Sequence, residues 1–234
     1  MVLPRALIHQ LKKLAVLNKS MKTFVVLSNK KEFDLPKEFQ NDDNRFTESI
    51  VEIFLKEFTK EGDIVFDPFA GFGTTLRVAE RMKRVGYGTE YDEKRVNYTK
   101  SILVNPQRLI FGDALKISEY NIIPQIDFSI TSPLYVHKED ENPFKTKRFE
   151  KTDYEQYLQD MKSVYQQIKN KMKEGGKVVV EVSNLKRKGV VTTLAWDIAK
   201  TISEILFFEG EIVIGSKERN GLGYDHSYAL VFRK

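Results

Sequence analysis

No cysteine occurs among the 234 residues, and histidine is limited to His9, His137 and His226. The first absence excludes disulfide frameworks and thiolate nucleophiles. The second leaves too few donors for the usual zinc ligand sets, so no metal site is expected. No uncharged apolar run approaches the ~20 residues of a membrane span, and Lys12-Lys13 interrupts the one N-terminal stretch that resembles a signal core. A cytoplasmic protein without membrane contact is the expectation. With 41% hydrophobic and 30% charged residues the chain can build a real core, and its length suits one α/β domain with a modest appendage.

Acid is missing from the first 31 residues. Arg5, Lys12, Lys13, Lys19, Lys22, Lys30 and Lys31 stand there without a single Asp or Glu, so the net charge of +5 lies wholly in this arm and the remainder is slightly acidic. A basic arm points to a polyanion such as nucleic acid, with Lys12 and Lys13 as candidate contacts; a solvated leader is the competing reading.

From residue 47 onward strand-like and helix-like segments alternate, the pattern of a mostly parallel sheet with helices on both faces. Thr47 is the expected N-cap of a helix carrying Ile50, Ile53, Phe54 and Phe58 at helical spacing. Strands are expected at DIVFDPF, VGYGTEY, RLIFGDA, IDFSITSP, KVVVEVSN, EGEIVIGS and SYALVFRK, seven in all. Between them the spacing predicts helices at TLRVAERMKR, at DEKRVNYTKSIL, over 152–173 with Gly175-Gly176 as its stop, and at TTLAWDIAKTISEILFF. The fold class is therefore α/β, a Rossmann-like seven-stranded sheet with a basic N-terminal extension over 1–43 and one domain over 44–234.

In such a sheet the ligand sits beyond the carboxyl ends of the strands, near the point where strand order reverses. The first strand ends in Asp67-Pro68-Phe69-Ala70-Gly71-Phe72-Gly73-Thr74-Thr75. Gly71 and Gly73 let the backbone approach a ligand closely, and the following helix start presents free N–H groups. Glu90 ends the second strand 17 residues beyond Gly73, where a carboxylate can accept from both hydroxyls of a ribose. The turn is not G-x-G-x-x-G, and Asp67 at its mouth would repel a pyrophosphate while attracting a cation. S-adenosylmethionine, with its sulfonium and ammonium, fits better than a dinucleotide. Asp113, ending the third strand, is the candidate acceptor for the adenine amine, with Phe69 or Ile110 flanking the ring.

The fourth strand ends in Thr131-Ser132-Pro133-Leu134-Tyr135. An exocyclic base amine is a poor nucleophile because its lone pair is delocalised into the ring. Acceptors aimed at its two N–H groups favour the sp3-like nitrogen of the transition state. The Ser132 hydroxyl and the Pro133 carbonyl are suitable acceptors, and Tyr135 can stack on the base.

DPFAGFGTT, GTEYD, FGDA and TSPLY, in that order and with RFTESI upstream, resemble the amino-directed DNA methyltransferases, particularly the cytosine-N4 type with its S-P-P-Y motif. The resemblance covers roughly residues 44 to 234 and implies a class I methyltransferase sheet. It implies that Asp67, Phe69, Gly71 and Gly73, with neighbours Pro68, Ala70, Thr74 and Thr75, line the methionine part of S-adenosylmethionine, joined by Phe46 and Thr47. Glu90, beside Tyr91, takes the ribose; Asp113, beside Ala114, takes the adenine; Ser132, Pro133 and Tyr135 act on the target amine.

Two departures stand out. Leu134 replaces the second proline and removes a backbone restraint. A target-recognition region, which family members that read sequence usually add, finds no space after the core. The stretch VHKEDENPFKTKRFEKT is the one insertion of size near the active strand end; Lys145, Lys147 and Arg148 beside Phe144 and Phe149 make it a candidate nucleic-acid surface, and its acids a candidate solvated lid. The expected activity is methylation of N4 of cytosine in DNA, with a homodimer or a separate recognition subunit as partner. An RNA base amino-methyltransferase and a non-catalytic cofactor-binding subunit remain as alternatives.

Overall fold

The computed structural model describes residues 22–140, 154–216 and 224–234. Of the expected nucleic-acid contacts, Lys12, Lys13, Lys145, Lys147 and Arg148 lie outside the described residues.

A short strand β1 (Phe24–Leu27) and a 3-10 turn (Lys37–Asp42) precede helix α1 (Glu48–Phe58). Then follow β2 (Ile64–Asp67), α2 (Thr74–Arg81), β3 (Val85–Glu90), α3 (Glu93–Ile102), β4 (Leu109–Phe111) and β5 (Ile126–Thr131). The remainder comprises α4 (Tyr154–Lys171), β6 (Met172–Val182), a hairpin of β7 (Leu185–Arg187) and β8 (Val190–Thr192), α5 (Leu194–Ser203), β9 (Phe207–Ser216) and β10 (His226–Arg233).

The main sheet has the order β1-β9-β10-β6-β5-β2-β3-β4. Its strands run parallel except β10, which pairs antiparallel with both β6 and β9. Alternation along the central strands divides the core into two layers. Val178, Val180, Leu230 and Phe232 face α4 and α5, where Leu158, Met161, Ile168, Ile198 and Ile202 are buried. Val179, Ala229 and Val231 face the opposite layer, with Val51, Phe54 and Leu55 of α1 and Val78 and Ala79 of α2. Period-2 strands between amphipathic helices leave both faces of the central strands dry, as buried parallel strands require.

Three expectations are corrected here. The sheet has eight strands rather than seven, because Phe24–Leu27 inside the basic segment pairs in parallel with β9, Phe24 opposite Val213. The helix expected at TTLAWDIAKTISEILFF stops at Ser203, and Phe207 and Phe208 enter β9. There Phe208 lies opposite Phe232 with ring centroids 5.2 Å apart, a cross-strand aromatic contact that a helix through these residues would forgo. Gly175-Gly176 do not end α4. The helix already stops at Lys171, and the glycines sit in an irregular start of β6, Gly175 at φ 75°. Thr47 does take the N-cap position, but its hydroxyl meets Ser49 Oγ at 2.9 Å instead of capping a helix N–H.

Strand order reverses between β2 and β5, since the chain leaves β2 for β3 and β4 on one side and returns to β5 and β6 on the other. One buried side chain spans this junction. Asp67, 1% exposed, accepts hydrogen bonds from Phe69 N at 3.0 Å, Thr75 Oγ1 at 2.6 Å and Thr131 Oγ1 at 2.6 Å. It thereby ties β2, its glycine turn, the start of α2 and the end of β5 together.

Burial pushes the Asp67 carboxyl from its ordinary 3.8 up to about 6, against the pull of its three donors. Between these values the folded state holds a proton that the unfolded state has lost, so the contribution of this group falls as pH rises through that window. At about 1.4 kcal/mol per pH unit the change is about 3 kcal/mol. Urea unfolding of the wild type and Asp67→Asn at pH 4 to 7 should show the wild type losing this much relative to the variant; a pH-independent difference would contradict the burial described.

Candidate active site

The turn after β2 is shaped by two left-handed glycines, Gly71 at φ 53° and Gly73 at φ 80°. A Cβ on Gly73 would stand 2.4 Å from Thr99 Cγ2, so close packing of α3 against the turn demands glycine there. At Gly71 a Cβ would meet nothing nearer than 3.9 Å; the need is conformational, and the space beside it stays open. The Gly71 N–H donates to Glu90 Oε2 at 2.8 Å, and Asp92 N–H donates to Oε1 at 2.9 Å. Both Glu90 oxygens keep further acceptor capacity for ribose hydroxyls. Burial raises the Glu90 carboxyl above its ordinary value, opposed by these backbone donors and by Arg95.

Beyond Glu90 a cleft of about 390 Å³ is lined by Tyr91, Asp113, Lys116 and Tyr120. Asp113 Oδ1 accepts from Leu115 N at 2.9 Å, and the Tyr120 hydroxyl accepts the Asp113 N–H at 2.8 Å while reaching Asp113 O at 3.2 Å. Gly112 makes room for that phenol, since a Cβ there would stand 2.3 Å from Tyr120 Oη. Phe69, Ile110 and Ala114, half-buried, give the neighbourhood its apolar side. The residues expected to hold an adenosine thus lie along neighbouring strand ends, with Tyr120 as an anchor absent from the sequence reading. Pro68 and Ala70 are buried in the turn; the Pro68 carbonyl accepts the Thr89 hydroxyl at 2.6 Å.

Asp67 departs from its expected manner of action. Its oxygens face Thr75, Thr131 and Phe69 inside the sheet, so it sets the position of the turn rather than presenting an exposed carboxylate to a cation. Thr74 and Thr75 are buried at the start of α2, and Phe46 packs half-buried beside buried Thr47.

At the end of β5, across the junction from the glycine turn, Ser132 and Tyr135 converge on a residue the sequence reading passed over. Glu181, buried on β6, accepts from the Tyr135 hydroxyl at 3.0 Å, and the Ser132 and Ser227 hydroxyls stand beside it. Burial raises the Glu181 carboxyl, and the three hydroxyls pull against it; burial beside Glu181 also raises the Tyr135 phenol well above its ordinary value, keeping it protonated. The Ser132 hydroxyl stands beside both Glu181 and the Tyr135 phenol, and its oxygen keeps lone pairs that can accept. Pro133 is buried, and the Leu134 carbonyl accepts the Tyr157 hydroxyl at 2.9 Å. The one available signal for Glu181 was an acid inside the valine run VVVEV, where a charge is costly without a purpose.

Residues 16–101 match the model of a DNA methylase family, a stretch that includes Phe46, the glycine turn and Glu90 and stops before Asp113. Among curated proteins, the type II methyltransferase M.BglII of Bacillus subtilis is 37% identical over 59 residues, 25% of this chain and 16% of that protein. The orphan methyltransferase M.BamHII of Bacillus amyloliquefaciens is 38% identical over 60 residues, 26% of this chain and 23% of that protein. The chain therefore matches less than a quarter of the length of either relative. Among solved structures, TrmN from Thermus thermophilus superposes with a TM-score of 0.58 at 17% identity, covering 81% of this chain and 49% of that one. A putative rRNA methylase from Clostridium thermocellum gives 0.53 at 14% identity, covering 80% and 96%. A putative methyltransferase of Streptococcus mutans in complex with SAH gives 0.51 at 14%, covering 80% and 97%. At these identities the likeness is one of fold. The fold is thus that of the class I methyltransferases, and the segment 16–101, with its glycine turn and Glu90, is similar to the DNA methylases.

Proposed function

We propose that this protein transfers a methyl group from S-adenosylmethionine to an exocyclic amine of a nucleobase, with N4 of cytosine in DNA as the target. The observation that carries the reading is the meeting of two sites at one sheet edge: the Glu90 and Asp113 cleft on one side of Asp67, and the Ser132, Tyr135 and Glu181 cluster on the other. The strand-end rim around this cleft fits the donor, since it offers Glu90 for the ribose, Asp113 for the adenine, an open glycine turn for the methionine part, and half-buried Phe69 and Ile110 for the ring. Bound there, S-adenosylmethionine supplies an electrophilic methyl group.

The chain's own part is to hold the acceptor amine. Ser132, oriented through Glu181, and the Pro133 carbonyl accept the two N–H groups, favouring the pyramidal nitrogen that attacks. With the donor held by Glu90 and Asp113, its methyl carbon would pass to this nitrogen, the C–S electron pair would stay on sulfur, and the nitrogen would then give up one proton to water. Serine at this position supports cytosine over the guanine-directed RNA enzymes, in which an acid usually precedes the prolines. The DNA methylase match and the names of the curated relatives favour DNA.

Incubation with labelled S-adenosylmethionine and duplex DNA, single-stranded DNA or structured RNA, followed by digestion, should yield N4-methylcytosine from DNA. Label on an adenine amine would keep the chemistry and change the base; label on carbon 5 of cytosine would refute the amine mechanism. Ser132→Ala and Glu181→Gln should each lower turnover about 10- to 100-fold, the equivalent of a lost directed hydrogen bond, with donor affinity within a few-fold. Tyr120→Phe should do the reverse, weakening the donor several-fold in isothermal titration while turnover at saturation holds, because it frees the Asp113 backbone N–H.

A further inference from the structure

We propose that the β7–β8 hairpin is a clamp that grips the phosphate backbone of the nucleic-acid strand carrying the target base, with Lys186 and Lys188 as the contacts and Trp196 at its foot. The inference rests on the nucleic-acid reading above and adds the surface that would hold the strand.

The hairpin leaves the sheet directly after β6, three residues beyond Val182 and four beyond Glu181. Lys186 pairs opposite Val191 and Arg187 opposite Val190, and the turn between them is Lys188-Gly189, both left-handed at φ 49° and 84°. Two consecutive residues of positive φ make the tight turn that matches strand twist, which gives the ribbon a defined tip. Lys186, Arg187 and Lys188 are all exposed. Arg187 is matched by Asp140 at 2.7 Å, whereas Lys186 and Lys188 have no carboxylate partner among the described residues.

The ribbon is fastened to the loop that carries the catalytic corner. Lys138 N–H donates to Thr192 Oγ1 at 3.1 Å, Arg187 reaches Asp140, and Asp140 Oδ2 accepts the His137 N–H at 2.8 Å. Residues 137–140 follow Tyr135 after Val136 alone, so these bonds tie the hairpin to the chain that carries the Ser132–Tyr135 corner. Its base is fixed on the other side as well, where Asn184 Oδ1 accepts the Ala195 N–H at 3.0 Å and the Ser183 hydroxyl donates to the His226 carbonyl at 3.0 Å.

Next to Ala195 stands Trp196, 42% exposed, with its ring 4.9 Å from Tyr228, which in turn meets His226. A large exposed aromatic at the start of the helix that follows the hairpin, with two exposed lysines on the ribbon that have no carboxylate partner among the described residues, suits a polyanion with stackable rings. Two-stranded ribbons have the width to enter a major groove, although three residues per strand limit this one to backbone contact.

Trp196 is the one tryptophan in the chain, so its emission reports on this rim directly. The full-length protein, wild type and Lys186→Gln/Lys188→Asn, is titrated with duplex DNA and with stem-loop RNA at several salt concentrations. Asparagine at 188 tolerates the left-handed backbone while removing the charge. For the nucleic acid that binds, the expected result is quenching of Trp196 in the wild type, a salt slope lowered in the variant by about two, and affinity weakened tenfold or more at low salt. S-adenosylmethionine affinity should be the same in both proteins, which separates lost contacts from lost folding. If the wild type binds with an unchanged tryptophan signal and the variant keeps its slope, the clamp is refuted and the nucleic-acid reading survives. If the wild type binds neither polymer, both are refuted.

Discussion

A single buried carboxylate sets the geometry on which everything at this sheet edge relies. Asp67 is nearly inaccessible, and its three donors come from three different pieces of chain: the turn after β2, the first turn of α2, and the last residue of β5. An acid that exposed itself to a ligand would be free to move with it. An acid taken out of water and saturated by short hydrogen bonds instead behaves as a rigid bracket, because breaking any one bond leaves a polar group unsatisfied in a dry interior. The donor cleft lies on one side of the bracket and the amine-gripping corner on the other, so their separation is fixed by bonds of 2.6 to 3.0 Å.

Glu181 uses the same physics for a different end. It too is buried among hydroxyls, but two of them, those of Ser132 and Tyr135, belong to the corner that would touch substrate. Where Asp67 joins backbone segments, Glu181 orients side chains. Both carboxyls are raised by burial, and both are partly recovered by donors, which is the balance expected when a charge is kept inside for its directionality.

The sequence disclosed the parts of this arrangement that are local. Glycine spacing, strand-ending acids and the S-P-x-Y corner each occupy a few consecutive residues, and their order along the chain was enough to indicate the sheet and the place of each motif. What escaped was non-local. Glu181 lies 49 residues from Ser132, and nothing in VVVEV says which strand will stand beside it. The eighth strand was hidden because Phe24–Leu27 gains its pairing from β9, nearly the whole chain away, while its neighbours are basic enough to read as an arm. Phe207-Phe208 was misread for a related reason: helical periodicity continues through them, and only the facing Phe232 decides for a strand. The basic hairpin of β7 and β8 was passed over because three-residue strands carry too little periodicity to register.

The leucine in S-P-L-Y illustrates how a lost covalent restraint can be replaced by tertiary contacts. A second proline would hold φ near −65° through its ring, at no cost in partners. Leu134 has no such lock and is 39% exposed, so by itself it leaves the corner looser. Its carbonyl, however, is held by Tyr157 from the buried face of α4, while Pro133 on one side is buried and Tyr135 on the other is tied to Glu181. Each of these restraints acts on a residue within one position of Leu134, and together they constrain the same peptide that a ring would have fixed. The departure therefore shifts the source of rigidity from the residue to its surroundings, and makes α4 and β6 part of the apparatus that holds the Ser132–Tyr135 corner in place.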